Sequence, residues 1–254
     1  MLAIFKGELV NPPEELNSPT TSTGNKKPSR LHDGILHDFA SSSPSRTFSM
    51  GFGEEALLAY LPAVDKTWQR LFCGVNDVYC LFMGNLLNLN YLIKQYGLPK
   101  SSNAAMFLIE AYQTLRDRGP VPAHQVVDDL EGSFAFVIYD GKANDVFIAL
   151  GSDERVRLFW GIAEDGSVVI CEDGDMVKRS CGKSHAPFPR GCMFHSRQGL
   201  TSYEHPNRKV KAMPRVDSDG AMCGAIFEAD VQSKVSPIPR VGSESNWALK
   251  NQSC

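Results

Sequence analysis

The sequence lacks a long apolar run, a basic leader and a strong excess of either charge. Its clearest apolar run, Phe134–Tyr139, has the length of a strand, whereas a membrane helix needs ~20 apolar residues. The chain does not start with a basic region followed by a long apolar region, so we expect no secretory signal. A net charge of -3 at pH 7 gives no reason to expect a nucleic acid or an acidic membrane as the partner.

The cysteines lack the even number and regular spacing of a disulfide framework. There are seven, irregularly placed, and we interpret them as reduced thiols of a cytoplasmic or nuclear protein. A hydrophobic content of 43% and a charged content of 22% are ordinary for a globular protein. The composition therefore predicts a reduced globular protein.

One domain accounts for most of the chain. Leu2–Phe5 reads as a short buried strand, whereas Asn11–Arg46 is rich in Ser, Pro, Thr, Asn and Gly. We expect this stretch to be a long, partly mobile surface excursion with few apolar anchors. The predicted organisation is a domain over 1–230 with an insertion at about 11–46, followed by a polar C-terminal tail over 231–254.

The middle of the chain alternates strand and helix patterns. A hairpin is predicted around Asn76-Asp77, and a helix that Ser102 or Asn103 caps follows it. The predicted helices are Asn88–Tyr96, the capped helix with its apolar stripe at Ala105, Leu108, Ile109, Tyr112 and Leu115, and Ala123–Leu130. The predicted strands are Gln69–Val75, Val78–Gly84, Ser133–Tyr139, Asp145–Leu150, Leu158–Gly161, Val168–Cys171, Gly191–His195 and Ala225–Phe227. This order indicates an α+β protein with helices packed on antiparallel sheets.

Several segments in a fixed order resemble class II glutamine amidotransferase domains, such as the N-terminal domain of asparagine synthetase. The main segment is Leu130–Asp140, with its acidic-glycine turn, Phe-Ala-Phe and Tyr-Asp. The others are Gly84–Asn88, Ser102-Asn103, Phe147–Gly161 and Phe188–Gly191. The resemblance covers roughly residues 1–200 and implies an Ntn-hydrolase-like αββα fold, a four-layer sandwich of two mainly antiparallel sheets between helices.

A narrower resemblance is to the plant aluminium-induced proteins with YGL and LRDR motifs, which are related to stem-specific proteins. Tyr96-Gly97-Leu98 and Leu115-Arg116-Asp117-Arg118 match the two motifs. The start Met-Leu-Ala-Ile-Phe also looks like that family. This resemblance implies a plant protein with a poorly defined biochemical role.

Compared with the active amidotransferases, the sequence lacks the catalytic groups. In that family an N-terminal Cys attacks glutamine and its own α-amino group is the base; here Leu2 takes its place, and it is too large for ordinary removal of Met1. Met83 aligns with the Asn of the oxyanion pair, and Asn103 with the Asp that holds the glutamine ammonium. The stretch Glu54–Tyr60, where a carboxylate-binding Arg is expected, contains none.

The remaining positions of the degenerate site are polar or small. Gly84 is retained, and with it the backbone N–H that donates to the oxyanion in that family. Asn85 and Ser102 flank the changed residues. We predict no catalytic residue and no cofactor. Met222-Cys223-Gly224 imitates the lost Met-Cys-Gly start, but Cys223 is internal and is expected to be buried.

Other polar clusters favour structural interpretations. Cys181, His185, Cys192 and His195 form a non-standard zinc spacing, and Cys192 and His195 point to opposite faces of one strand. We therefore predict no metal site. We expect His32 and His37 to be a solvated pair, and the acidic runs Asp128-Asp129-Glu131 and Glu172-Asp173-Asp175 to be solvated helix ends and turns.

Both named motifs have a structural explanation beside a functional one. Arg116 to Arg118 either complement a helix C-terminus or bind an anion or partner, and Tyr96-Gly97-Leu98 reads as a helix C-cap. In the charged loop 151–155 and just after it, Arg155 or Arg157 either lines a ligand pocket or belongs to a buried ion pair or the surface. The short basic stretch Arg208–Lys211 lacks interleaved aromatics and is weak evidence for nucleic acid.

The functional hypothesis is a degenerate amidotransferase-like protein that acts as a binding or regulatory module in plant stress responses. Its partners would be an amino-acid-like or γ-glutamyl ligand, unknown proteins, or a second copy through an edge strand or helix face. One alternative is a hydrolase or amidotransferase with changed chemistry on glutamine-like substrates, with Ser102, Ser133 or a Cys as nucleophile. A storage or structural protein is the other alternative.

Overall fold

The computed structural model describes residues 1–18, 30–41, 46–62, 67–117, 124–205, 207–216, 220 and 222–230. Arg118 and the predicted tail over 231–254 lie outside the described residues. The strands are β1 (Leu2–Phe5), β2 (Phe48–Phe52), β3 (Ala56–Tyr60), β4 (Gln69–Val75), β5 (Val78–Leu86), β6 (Gly132–Asp140), β7 (Asp145–Leu150), β8 (Phe159–Ile162), β9 (Val168–Cys171), β10 (His185–Pro187), β11 (Cys192–His195), β12 (Gly199–Ser202), β13 (Val210–Val216) and β14 (Met222–Ala229). The helices are α1 (Gly7–Val10), α2 (Arg30–Ala40), α3 (Leu89–Gln95), α4 (Ala104–Asp117), α5 (His124–Asp128) and α6 (Gly174–Cys181), with a 3-10 turn over Glu14–Leu16.

The strands form two six-stranded antiparallel sheets and a separate hairpin. The first sheet has the order β10-β8-β9-β1-β3-β2, the second has the order β12-β11-β7-β6-β5-β4, and β13 pairs with β14. Because β1 lies between β9 and β3, it is covered on both edges. The beginning of the chain is therefore a central strand of the first sheet.

Side-chain alternation along β1 separates two layers of hydrophobic core. Ala3 and Phe5 face the core between the two sheets, while Leu2 and Ile4 face the core under α2 and α6. All four are fully buried, which for side chains of the size of Leu2, Ile4 and Phe5 stabilises the fold by roughly 1.5–3 kcal/mol each. A strand buried on both faces carries no polar side chain at low cost.

The second sheet is covered on its outer face by α3, α4 and α5. The predicted stripe of α4 is buried at Ala105, Leu108, Ile109 and Tyr112, and it packs in one core with Phe82 and Phe136. Helix, sheet, sheet and helix therefore follow one another, and the αββα arrangement of an Ntn-hydrolase-like fold is confirmed. Among the described residues, no helix combines the length and hydrophobicity that crossing a bilayer requires.

Local turn chemistry explains two of the predicted boundaries. Asn76 and Asp77 both have positive φ, 53° and 64°, as a two-residue hairpin turn requires. Gly97 has φ 67°, and the N–H of Leu98 donates to the carbonyl of Ile93 at 2.9 Å. The Tyr-Gly-Leu motif is therefore the C-cap of α3, as the sequence predicted.

The excursion predicted over Asn11–Arg46 contains ordered structure that the sequence analysis missed. It includes the 3-10 turn over Glu14–Leu16 and helix α2, and Leu16, Ile35 and Phe39 are 0%, 5% and 8% exposed. The stretch therefore has apolar anchors after all. Residues 19–29 and 42–45 of the predicted insertion lie outside the described residues.

His32 corrects a second prediction in this segment. Its Nε2 lies 2.8 Å from Ser167 Oγ and 3.6 Å from Asp165 Oδ2, so it joins α2 to the turn before β9. Only 20% of its side chain is exposed, compared with 85% for His37. His37 is solvated as predicted, whereas His32 fixes the position of α2.

The Leu-Arg-Asp-Arg motif holds α4 against a turn of the second sheet. Arg116 Nη1 donates to Asp140 Oδ2 at 2.6 Å, and Arg116 Nε donates to Asp117 Oδ1 at 2.9 Å. The side chain of Asp140 is 0% exposed and also accepts the backbone N–H groups of Lys142 and Ala143. Arg116 of the motif is therefore explained by an ion pair with a buried carboxylate, which joins α4 to the β6–β7 turn.

We expect Arg116→Ala to lower the free energy of unfolding by roughly 2–3 kcal/mol, because it leaves the buried Asp140 carboxylate without its cation. Urea denaturation measures the change. The matched control is Lys142→Ala, which removes an exposed pair with Asp77 at 3.7 Å and should cost less than about 1 kcal/mol. Equal effects of the two substitutions would contradict the structural role of Arg116.

Candidate functional site

The position that the resemblance assigns to the amidotransferase nucleophile is filled by apolar side chains. Met1 is 2% exposed, and its side chain packs in the inter-sheet core that also contains Met83. Leu2 is 0% exposed and packs on the opposite face of the sheet, with Cys171 and Met176. Where an active enzyme exposes a thiol, this chain therefore buries two hydrocarbon side chains on the two faces of β1.

The amino group of Met1 is held by a carboxylate. It donates to Glu172 Oε1, and Glu172 Oε2 accepts from Arg70 Nη2 at 2.7 Å. The side chains of Met1 and Glu172 are 3% and 17% exposed, so water screens the pair weakly. The Met1 amino group is therefore engaged in an ion pair with Glu172, whereas the base of an N-terminal nucleophile must face the nucleophile itself.

Glu172 corrects the expectation that its acidic run is solvated. The cause is the pairing of β1 with β9. These strands are antiparallel and Leu2 lies opposite Cys171, so the residue after Cys171, Glu172, lies opposite Met1. Asp173 is also engaged: its Oδ1 accepts the N–H groups of Asp175 and Met176 and caps α6. Local acidity in a sequence does not reveal such a partner.

Sequence reasoning also missed Arg70, although a signal for it exists. The two-residue turn at Asn76-Asp77 fixes the hairpin register, and that register places Arg70 directly opposite Met83. Arg70 thus lies beside the residue that the resemblance aligns with the Asn of the oxyanion pair. It comes from β4, whereas the carboxylate-binding Arg was expected in the stretch that forms β3.

Gly84 is required by close packing of the backbone. Its φ is 128°, and a Cβ there would lie 2.0 Å from the carbonyl oxygen of Ser133. Asn85 follows it opposite Ser133, and its Nδ2 donates to the carbonyl of Thr67 at 3.0 Å. Gly84 is therefore required by the close approach of β5 to β6, and the Asn85 side chain joins β5 to the segment before β4.

Ser102 and Asn103 lie just before α4, on the helix side of the second sheet. Asn103 Oδ1 accepts the N–H of Met106 at 2.9 Å, which makes Asn103 the side-chain cap of the helix. Ser102 is 8% exposed, and its N–H donates to Pro99. No described hydrogen bond or ion pair joins Asn103 to Met1, Leu2 or Met83.

Ser133 and the loop after β7 form a polar contact at the start of β6. Ser133 Oγ donates to Asp153 Oδ2, and Arg155 Nε lies 3.9 Å from the same oxygen. Arg155 is 75% exposed and Arg157 is also exposed. Of the alternatives for this loop, the structure therefore favours a surface loop whose Asp153 reaches inward.

Of the six thiols in the described part of the chain, five are buried and Cys73 is partly exposed. Burial raises the pKa of Cys171 to about 11 and the pKa values of Cys181 and Cys192 to about 12. Cys223 is 5% exposed, as predicted for the internal copy of the Met-Cys-Gly pattern. A thiol with such a pKa holds almost no thiolate at neutral pH and is a poor nucleophile.

The residues of the non-standard zinc spacing do not come together. Cys192 lies in the inter-sheet core, whereas His195 packs 5.9 Å from the ring of Phe147 on the other face of the sheet. Cys181 belongs to the core under α6. Within the described part of the chain, no group of three or more His, Cys, Asp or Glu side chains has the arrangement of a metal site.

We expect Glu172→Gln to lower the free energy of unfolding by roughly 2–4 kcal/mol, because it leaves a buried ammonium and Arg70 without their anion. Thermal and urea denaturation measure this, and intact mass spectrometry of the same sample establishes that Met1 is retained. Glu164→Gln, on an exposed turn, is the matched control with an expected effect under about 0.5 kcal/mol. Unchanged stability of the Glu172 variant would show that the ion pair contributes nothing.

Two solved structures are similar to part of the chain. A B. subtilis glutamine phosphoribosylpyrophosphate amidotransferase, complexed with ADP and GMP, is 19% identical with a TM-score of 0.42 over 58% of this chain and 34% of its own. An allosteric regulatory enzyme of purine biosynthesis is 14% identical with a TM-score of 0.44 over 78% of this chain and 47% of its own. The chain thus spans less than half of the length of either protein, and TM-scores this low do not establish a relationship.

Two curated proteins are more similar in sequence. A probable glutamine-hydrolyzing asparagine synthetase of Dictyostelium discoideum is 34% identical over 110 residues, which are 42% of this chain and 20% of that protein. The stem-specific protein TSJT1 of Nicotiana tabacum is 37% identical over 150 residues, which are 59% of this chain and 99% of that protein. The profile of the family described as aluminium induced protein matches residues 2–229. This chain is therefore a member of the aluminium-induced protein family.

Proposed function

We propose that this protein is a catalytically degenerate relative of the glutamine amidotransferases and acts as a binding or regulatory module in plant stress responses. The observation that carries the proposal is the occupation of the nucleophile position by Met1 and Leu2, which are 2% and 0% exposed. Neither side chain contains an atom that attacks an amide. The ion pair of the Met1 amino group with Glu172 supports the same conclusion.

The binding role is supported by what the fold keeps. The Leu-Arg-Asp-Arg and Tyr-Gly-Leu motifs are explained by an ion pair and a helix cap, so they maintain the scaffold and not a reaction. Similarity to a glutamine-hydrolyzing protein and to a family named for induction by aluminium supports a scaffold reused in stress physiology. We expect it in the cytoplasm and nucleus, where a fluorescent fusion would locate it.

An amino-acid-like ligand and a homodimer remain predictions of this proposal. A zwitterion would need the charges of Arg70 and Glu172, which already bind each other and Met1. Calorimetry with glutamine, glutamate and γ-glutamylcysteine tests the ligand, and a flat titration would leave an interaction with proteins. Light scattering tests the homodimer, and a monomer mass at high concentration would contradict it.

The purified protein should release no glutamate from glutamine above the buffer rate, because it lacks the thiol, the free amine base and the Asn side chain of the oxyanion pair. A coupled glutamate assay measures this, with an active asparagine synthetase as the positive control. Leu2→Cys alone should also stay at the buffer rate, because Met83 and Asn103 are unchanged.

A specific outcome would overturn the degenerate assignment. If the natural protein releases glutamate and Leu2→Ala abolishes the release, the beginning of β1 is catalytic by a route that this proposal does not contain. Release that persists in Leu2→Ala would point instead to a contaminant or to another nucleophile, and the following measurement distinguishes these.

The rival function is an enzyme with changed chemistry, and the contact between Ser133 and Asp153 favours it. The hydroxyl donates to a carboxylate at the start of β6, beside Gly84 and Asn85. However, Ser133 is 7% exposed, and a nucleophile must reach its substrate. We therefore interpret the contact as a structural link between β6 and the loop after β7.

A fluorophosphonate probe should leave Ser133 unlabelled, because the hydroxyl is buried and is oriented by Asp153 alone. Mass spectrometry of the treated protein measures the labelling, and Ser133→Ala is the matched control. Stoichiometric labelling of the natural protein that the substitution removes would establish the rival and reject the structural interpretation.

A further inference from the structure

A cavity lies at the C-terminal end of α6, away from the start of β1. Its volume is about 410 Å³, within the range of sites for small molecules. It is lined by Lys178, Gly182, Lys183, His185, Arg215, Val216 and Cys223. Three of these side chains are permanent cations, and none of the described lining residues is a carboxylate. The described lining of this cavity thus carries positive charge, although the net charge of the whole chain is -3.

Arg215 is fixed in this cavity by neutral oxygen atoms. Its Nη2 donates to the carbonyls of Cys223 at 2.9 Å and Lys183 at 3.2 Å, and its Nη1 lies 3.5 Å from His185 Nε2. These contacts orient the guanidinium without neutralising its charge. Of its five N–H donors, the Nε–H and one Nη1–H have no hydrogen-bond partner among the described residues.

His185 is arranged so that its ring completes the same cluster. Its Nδ1 lies 2.7 Å from the carbonyl of Gly182, which requires Nδ1 to carry the proton. Its pKa is lowered by burial and by the neighbouring charges of Arg215 and Lys178. The imidazole is therefore neutral at pH 7, and positive potential is concentrated around it.

Stabilisation of the helix dipole does not explain the whole cluster. Lys178 lies in the last turn of α6, where a cation is favourable in any protein. Arg215, however, comes from β13 and His185 from β10. Three separate elements thus bring basic side chains to one cavity, and only one of them is the helix.

We propose that this cavity binds the phosphate group of a small phosphorylated metabolite, with Arg215 and Lys178 as its charged ligands. The planar guanidinium presents paired donors that match phosphate oxygens, and Lys178 adds a point charge beside it. The cavity has room for an organic group next to the phosphate. The site is separate from the one on which the proposed function rests.

The test is isothermal titration of the full chain at low ionic strength with inorganic phosphate and with glucose 6-phosphate. We expect saturable binding of both, and about tenfold weaker affinity in Lys178→Gln and in Arg215→Gln. Lys94→Gln removes an exposed lysine of α3 and is the matched control with unchanged affinity. Since Arg215→Gln also removes two contacts to the backbone, Lys178→Gln keeps the test valid if that variant fails to fold.

Each other outcome overturns the proposal. Absence of saturable binding, or an equal loss of affinity in Lys94→Gln, would mean that these cations are only solvent-exposed surface charges that complement the dipole of α6. Tighter binding of succinate than of phosphate would reject the phosphate class. If both phosphates bind, their relative affinity decides whether the organic group contributes, and unphosphorylated glucose should produce no heat.

Discussion

The burial of β1 on both of its faces is the constraint on which the rest of the structure depends. Between β9 and β3, this strand has Ala3 and Phe5 in the inter-sheet core and Leu2 and Ile4 under the helices. The hydrophobic residues at this end of the chain therefore stabilise both cores at once.

The amino group of Met1 determines the electrostatics at the start of the strand. A buried ammonium is costly unless an anion compensates it, and Glu172 supplies the anion while Arg70 balances its second oxygen. The three groups come from β1, β4 and the residue after β9. The network therefore connects the two sheets at the start of β1.

The sequence predicted those parts of the fold in which local signals act alone. The stripe of α4, the turn at Asn76-Asp77 and the apolar run of β6 needed no knowledge of their neighbours. It missed α2 and β3, since α2 contains Gly34 and polar residues, and Ala-Leu-Leu-Ala-Tyr of β3 has no alternation. Only their contacts with α6 and β1 decide their structure.

The candidate site was predictable to a similar depth. The resemblance predicts a site at Leu2, Met83 and Asn103 from motifs along the chain, and this assignment stays a prediction. Glu172, by contrast, contacts Met1 through a strand pairing that joins residues 171 apart. Helix α6 illustrates the same limit. Acidic residues at its start and basic residues at its end follow the helix dipole and are readable from sequence, but Arg215 reaches the end of α6 from another strand. The dipole of α6 does not require Arg215, and no carboxylate among the described residues forms an ion pair with it. A bound anion would explain why this side chain lies there.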